Sequence, residues 1–157
     1  MHRRYTRELF AEKVHLIKRL IQDSCIAIDL ISGFPGESDS DFEDSLNFIN
    51  DLPISYLHVF TYSKRPGTPA AVMADQVPEP VKRARTNRLL TLSDCKLRQF
   101  YSEHLTSFRP VLFETDNKNG EMFGFSDNYI KVKVPYHRDW VNQIVMIELT
   151  DEILCFE

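Results

Sequence analysis

The chain has 157 residues, 43% of them apolar, three cysteines and a formal net charge of −4. That length supports one moderate hydrophobic core or two small ones. No apolar run approaches a membrane span and the charged start does not lead into a signal-peptide core. The acidic balance lacks the global signature of a nucleic-acid binder.

Thr6 is placed to cap a first helix, with Glu8 in its first turn, and Phe10, Val14, Ile17 and Ile21 give that helix one apolar face. Cys25 to Ile31 is β-branched and apolar apart from Asp29, which predicts a strand covered on both faces. The strand runs into Gly33-Phe34-Pro35-Gly36-Glu37. Pro35 stiffens this turn and the glycines let a backbone, or a ligand, come close. Both a ligand-contacting turn and a purely structural βα turn are consistent with it. Ser38 caps a second helix whose buried stripe is Phe42, Leu46 and Ile49, and Pro53 ends it. Tyr56 to Thr61 is the second strand, so helix and strand alternate as in a parallel sheet.

Lys64 to Pro80 holds four prolines and a glycine and predicts a surface connection. A long helix follows from Val81 to about Leu105. Lys82, Arg85 and Arg88 share one of its faces, as solvated charge or as a contact for RNA or another domain. After Pro110 the pattern changes to short strands at Val111–Glu114, Met122–Phe125, Tyr129–Val134 and Ile144–Leu149, which predict a small antiparallel barrel.

Asp29 to Glu37 resembles the D-x-I-x-G-F-P-G-E strand of the methylthiotransferase branch of radical S-adenosylmethionine enzymes. Met1 to Glu8 is similar to that branch's M-x-R-x-Y-T-R-E segment, and Tyr62 to Ala70 to its Y-S-x-R-x-G-T-x-A segment. Gly124 to Val132 resembles the G-[FY]-[ST]-D-N-Y-x-x-V signature of a TRAM domain, an RNA-binding barrel. The resemblance spans essentially the whole chain. It implies a fold of α/β plus β: residues 1–100 as the last βα units of a radical SAM partial (β/α)6 barrel with its linking helix, and residues 101–157 as a TRAM-like β-barrel. It further implies an S-adenosylmethionine site at Ile31, Gly33, Pro35, Gly36 and Glu37, with Arg3 toward the cofactor's polar end. Glu37 is expected to anchor the turn more than to touch substrate.

The family's four-iron four-sulfur cluster needs a C-x-x-x-C-x-x-C loop. Cys25, Cys95 and Cys155 lie far apart, so no metal site is expected in this chain, and core packing in a reducing cytosol suits them. The reading is therefore a cytoplasmic carboxy-terminal piece of a larger transferase, an excised part or a mis-started frame, inactive without its missing amino-terminal part. The Tyr56–Ser63 and Ser126–Tyr129 segments most resemble the branch acting on threonylcarbamoyladenosine beside the tRNA anticodon. The isopentenyladenosine and ribosomal-protein branches are the alternatives, with a stand-alone RNA-binding adaptor as a reading of a different class. No membrane partner is implied.

For RNA, the candidates are Arg65, near the carboxyl end of the second strand, and Tyr129, Lys131, Lys133 and Arg138. Residues 101–157 carry five basic against ten acidic side chains, a net −5, so any RNA contact there has to be local. Period-two alternation puts Lys131 and Lys133 on one strand face, and Tyr129 is expected on the same side for base stacking. Tyr62 is expected at the mouth where a substrate nucleotide enters. His58 is expected as an ordinary core or barrel histidine.

Overall fold

The computed structural model describes residues 4–114 and 119–156. The chain divides into two compact units, Met1–Leu97 and Arg98–Glu157.

The first unit contains α1 (Arg7–Leu20), β1 (Ala27–Ser32), α2 (Asp39–Asp51), β2 (Tyr56–Thr61) and most of α3 (Glu79–Ser102). Thr6 caps α1, its hydroxyl accepting from the Leu9 N–H. Ser38 caps α2 reciprocally: the Asp41 N–H donates to its hydroxyl at 3.1 Å, and its own N–H donates to the Asp41 carboxylate at 2.9 Å. Two donors that a helix start leaves without partners are thereby satisfied. At the other end of α2, buried Lys96 on α3 donates to the carbonyls of Asn50 and Leu52, both at 2.8 Å.

β1 and β2 are parallel, in register from Ala27 opposite Tyr56 to Ser32 opposite Thr61. One sheet face packs into a core of Val14, Phe42, Ile49, Leu52, Leu57 and Leu89. Burying each such side chain stabilises the unit by about 1.5–3 kcal/mol. The other face is open: Ala27, Asp29 and Ile31 on β1 and His58 and Phe60 on β2 are exposed. The expectation that β1 is covered on both faces is corrected, because the helices pack on one side of this two-stranded sheet only. His58 accordingly stands on the open face rather than in a core. Of the expected face of α1, Val14 is buried and Phe10 packs against the core, whereas Ile17 and Ile21 are exposed. Among the cysteines, Cys95 is exposed rather than packed in a core, while Cys25 and Cys155 are partly buried. Burial raises the Cys25 thiol above its ordinary range.

The second unit contains the end of α3 and an antiparallel sheet in the order β5 (Lys131–Pro135), β4 (Glu121–Ser126), β3 (Phe108–Phe113), β6 (Ile144–Glu148). Its inward positions, Val111, Phe113, Met122, Ile130, Val132 and Leu149, are fully buried. The sheet is open rather than a closed barrel, because β5 and β6 do not pair with each other. The chain's end lies along the outer edge of β5 instead: Lys133 N–H donates to the Ile153 carbonyl at 2.8 Å, and Cys155 N–H to that of Lys131 at 3.0 Å. Gly124 sits where β4 crosses β3 most tightly, and a Cβ there would stand 2.7 Å from the Leu112 carbonyl oxygen. No helix among the described residues is long and apolar enough to cross a membrane.

Candidate cofactor turn and nucleic-acid face

At the carboxyl ends of β1 and β2, Thr86 of α3 joins the two strands. Its hydroxyl lies 2.9 Å from that of Ser32 and 2.8 Å from that of Thr61. The chain leaves β1 through the turn 33–37, where Gly33 and Gly36 take φ of +74° and +83°, a region open to glycine at little cost.

Three of the turn's backbone donors are engaged by acceptors of this chain. Gly33 N–H donates to the Glu37 carboxylate at 2.8 Å, Gly36 N–H to the Asp75 carbonyl at 2.7 Å and Glu37 N–H to the Phe34 carbonyl at 3.0 Å. Those three N–H groups are therefore not presented to an anion. The same Glu37 oxygen pairs with Arg85 at 2.5 Å, and the second guanidinium nitrogen of Arg85 reaches Asp39 at 2.7 Å.

The candidate cofactor residues fall into two groups. Ile31 and Gly36 are exposed, and nothing stands within 4 Å of where a Cβ on Gly36 would be. Gly33 and Pro35 are buried and Glu37 is partly so. A Cβ on Gly33 would come within 2.5 Å of the Lys82 side chain, so its bare α-carbon accommodates a lysine of this chain rather than a ligand. Arg3 lies outside the described residues. The mouth expected at Tyr62 is not formed by its hydroxyl, which is buried without a hydrogen-bond partner among the described residues; its ring meets Phe34 edge-on at 5.5 Å. Arg65 is exposed in the connection after β2.

The face of Lys82, Arg85 and Arg88 is only partly solvated: Arg88 alone of the three is exposed. Lys82 and Arg85 are buried, and Arg88 pairs with Glu43 of α2. That pair draws the Glu43 carboxyl below its ordinary range, the hydrogen bond from Arg88 being the main cause.

In the second unit, the outward face of the sheet carries Lys131 and Lys133 on β5 opposite Phe125 and Phe123 on β4. The Lys131 ammonium lies over both rings, 5.5 Å from the centre of Phe123 and 5.8 Å from that of Phe125, a cation–π geometry. Lys133 pairs with Glu121 at 3.2 Å. Tyr129 is not on the strand. It stands in the preceding turn at φ +66°, so strand alternation does not orient it. Its exposed ring nevertheless packs on Phe125, with ring centres 5.9 Å apart. Arg138 is exposed on a separate short 3-10 helix, Arg138–Trp140. An open groove of about 490 Å³ runs beside Tyr129 and Phe125, lined also by Pro110, Leu112 and Ile144. Phe123 and Phe125 are site residues that sequence reasoning missed. Their signal was the alternation in Met122-Phe123-Gly124-Phe125, which places both rings opposite the buried Met122.

Among the described residues no group of three or more histidine, cysteine or acidic side chains is placed to hold a metal ion. No protein-family model matches the chain. It is 40% identical over 153 residues, 95% of its length, to the threonylcarbamoyladenosine tRNA methylthiotransferase MtaB of Bacillus subtilis, of which it covers 34%. It is 33% identical over 153 residues to the tRNA-2-methylthio-N(6)-dimethylallyladenosine synthase of Finegoldia magna, covering 96% of this chain and 33% of that protein. With the synthase of the same name from Methylococcus capsulatus, identity is 36% over 155 residues, 98% of this chain and 34% of the relative. The chain spans about a third of the length of the curated relatives it matches, and over nearly all of its own length it is homologous to that third of the tRNA methylthiotransferases.

Proposed function

We propose that this chain is the carboxy-terminal third of a radical S-adenosylmethionine methylthiotransferase that adds a methylthio group to threonylcarbamoyladenosine beside the tRNA anticodon. The observation that carries this is the 40% identity to a threonylcarbamoyladenosine tRNA methylthiotransferase across 95% of the chain. Residues 1–100 are the last βα units of the enzyme's barrel and its linking helix. The outer strand edges of β1 and β2 would pair with the amino-terminal part of the same protein to complete the barrel, and their open face would line its interior. Residues 101–157 are the TRAM-like RNA-binding domain, and the setting is the cytoplasm.

Ile31 and Gly36 fit the adenosine of S-adenosylmethionine. They offer an apolar side chain and an unobstructed glycine at the carboxyl end of a parallel strand, where α/β folds take ligands. Gly33, Pro35 and Glu37 hold that surface in shape. The bound cofactor would supply the radical chemistry, with the protein positioning and shielding it. The residues of this chain do not fit the iron–sulfur cluster, since its cysteines are scattered singly. Lys131, Lys133, Tyr129 and the neighbouring rings would grip the anticodon stem-loop by charge and stacking, with Arg65 and Arg138 as further phosphate contacts.

A second reading, an enzyme acting on dimethylallyladenosine, is favoured by the 33–36% identity to two synthases of that modification. Nucleoside mass spectrometry decides between them, on tRNA from cells that lack their own methylthiotransferases and express the full-length protein. Methylthio-threonylcarbamoyladenosine supports the proposal and the methylthio derivative of dimethylallyladenosine the second reading. Neither product overturns both.

A further inference from the structure

A buried cation persists only when partners replace its lost water. On α3 two such cations, Lys82 and Arg85, lie one helical turn apart and both close on the turn 33–37. Arg85 spreads its planar fork across the start of α2. One nitrogen donates to the Glu37 carboxylate at 2.5 Å and the Glu37 carbonyl at 3.1 Å; the other donates to Asp39 at 2.7 Å. The Glu37 oxygen it grips is the one that accepts the Gly33 N–H. A continuous chain of polar contacts therefore runs from α3 through Glu37 into the backbone at the head of the turn. Lys82 works on the same residue sterically. Its methylenes fill the space against the bare Gly33 α-carbon, and its ammonium reaches the Tyr62 carbonyl at 3.4 Å and Glu79 at 3.6 Å. Two of the turn's five residues are at positive φ, and its apolar contacts include the Phe34 ring against Tyr62. Its shape is held from α3, together with the Asp75 carbonyl that accepts the Gly36 N–H at 2.7 Å.

We infer that Arg85, assisted by Lys82, is a positioning residue for the cofactor-facing edge at Gly36, fixing the turn through Glu37 without touching the ligand. This rests on the reading of Ile31 and Gly36 as the adenosine surface. It also gives the basic face of α3 a role other than RNA contact, which Arg88 helps to separate. Arg88 lies on the same helix face but pairs with Glu43, away from the turn.

The test uses the full-length protein carrying Arg85→Ala, Arg85→Lys, Arg88→Ala or Gly36→Val. Amide exchange at Gly33 and Gly36 and the affinities for S-adenosylmethionine and for tRNA are measured on each. Arg85→Ala is expected to speed exchange at both glycines and to weaken S-adenosylmethionine binding by about tenfold. Affinity for tRNA stays unchanged. Arg85→Lys, which retains the charge without the fork, recovers part of both losses, and Arg88→Ala changes neither. Global loss of exchange protection in Arg85→Ala, with the Lys variant equally affected, overturns the positioning role in favour of general folding stability. Unchanged exchange at Gly33 and Gly36 overturns it as well. If Gly36→Val weakens cofactor binding but Arg85→Ala does not, positioning fails while the cofactor reading stands. If neither variant changes cofactor affinity, the cofactor reading fails and the inference falls with it.

Discussion

Two clusters of basic side chains look alike as sequence and are used in opposite ways. Lys82, Arg85 and Arg88 step along one face of α3, and Lys131 and Lys133 along one face of β5. On α3 Lys82 and Arg85 are turned inward and buried while Arg88 is half exposed, and all three are paired with acids or carbonyls of the same unit. On β5 they stand on the outer face, among aromatic rings that leave a groove open to one side. Charge spacing cannot separate the two cases. Glu37, Asp39 and Glu43 lie at the start of α2, within reach of α3, and on the outward face of the second unit Glu121 pairs with Lys133. The first cluster is built into the fold of its unit, and the second stands on an outward face.

The largest effect expected from this contrast is on stability. Arg85→Ala leaves the partly buried Glu37 without its counter-charge and should destabilise the first unit by about 3 kcal/mol, as removal of one member of a buried ion pair does. Thermal or denaturant unfolding measures it. A loss as small as that of an exposed charge would erase the distinction between the clusters.

A comparable test in the second unit is Gly124→Ala. The added methyl meets the Leu112 carbonyl and Val111, so a cost of about 2 kcal/mol is expected from overpacking. The outward face would keep its side chains while the sheet beneath it loosens. RNA affinity that follows the unfolding midpoint would show that the face depends on the sheet.

Ser38→Ala should cost about 1 kcal/mol near neutral pH by removing the cap of α2. The Asp41 carboxyl lies below its ordinary range because Ser38 donates to it. Its folded-state pKa is the lower one, so its contribution is complete above the unfolded value and fades as pH falls through the folded value. The difference between wild type and Ser38→Ala should therefore shrink below about pH 4. A difference that is constant across that range would mean that Asp41 is not coupled to the cap.

Lys131→Glu with Lys133→Glu should cost stability no more than about 1 kcal/mol, through the lost Glu121 pair and cation–π contacts of a partly exposed face. Their effect on binding should instead be large. Affinity of the full-length protein for tRNA falls, and the slope of log affinity against log salt decreases by about one to two units as phosphate contacts are lost. Unaltered affinity at low salt would make this face a structural or protein-contact surface.

Local rules settled much of the architecture. Thr6 and Ser38 cap the helices they were expected to cap, and β2 has the bounds read from Tyr56 to Thr61. Caps depend on residues three positions apart, and strand alternation on residues two apart, so both are legible along the chain. Gly33 was legible only as a position requiring a glycine. That the glycine makes room for Lys82 needed the helix that arrives some fifty residues later. Tyr129 was assigned to the right face for the wrong reason, since turn geometry and Phe125 place it rather than strand alternation.

By itself the sequence determined the element order, the caps, the turn 33–37 and the shared face of Lys131 and Lys133 on β5, because each is written in residues close together. Only the tertiary structure decided which of two basic faces is buried, which glycine is open and which is filled, and that the antiparallel sheet remains open. Those outcomes depend on partners brought together from distant parts of the chain, and a buried charge is stable only where such partners meet it.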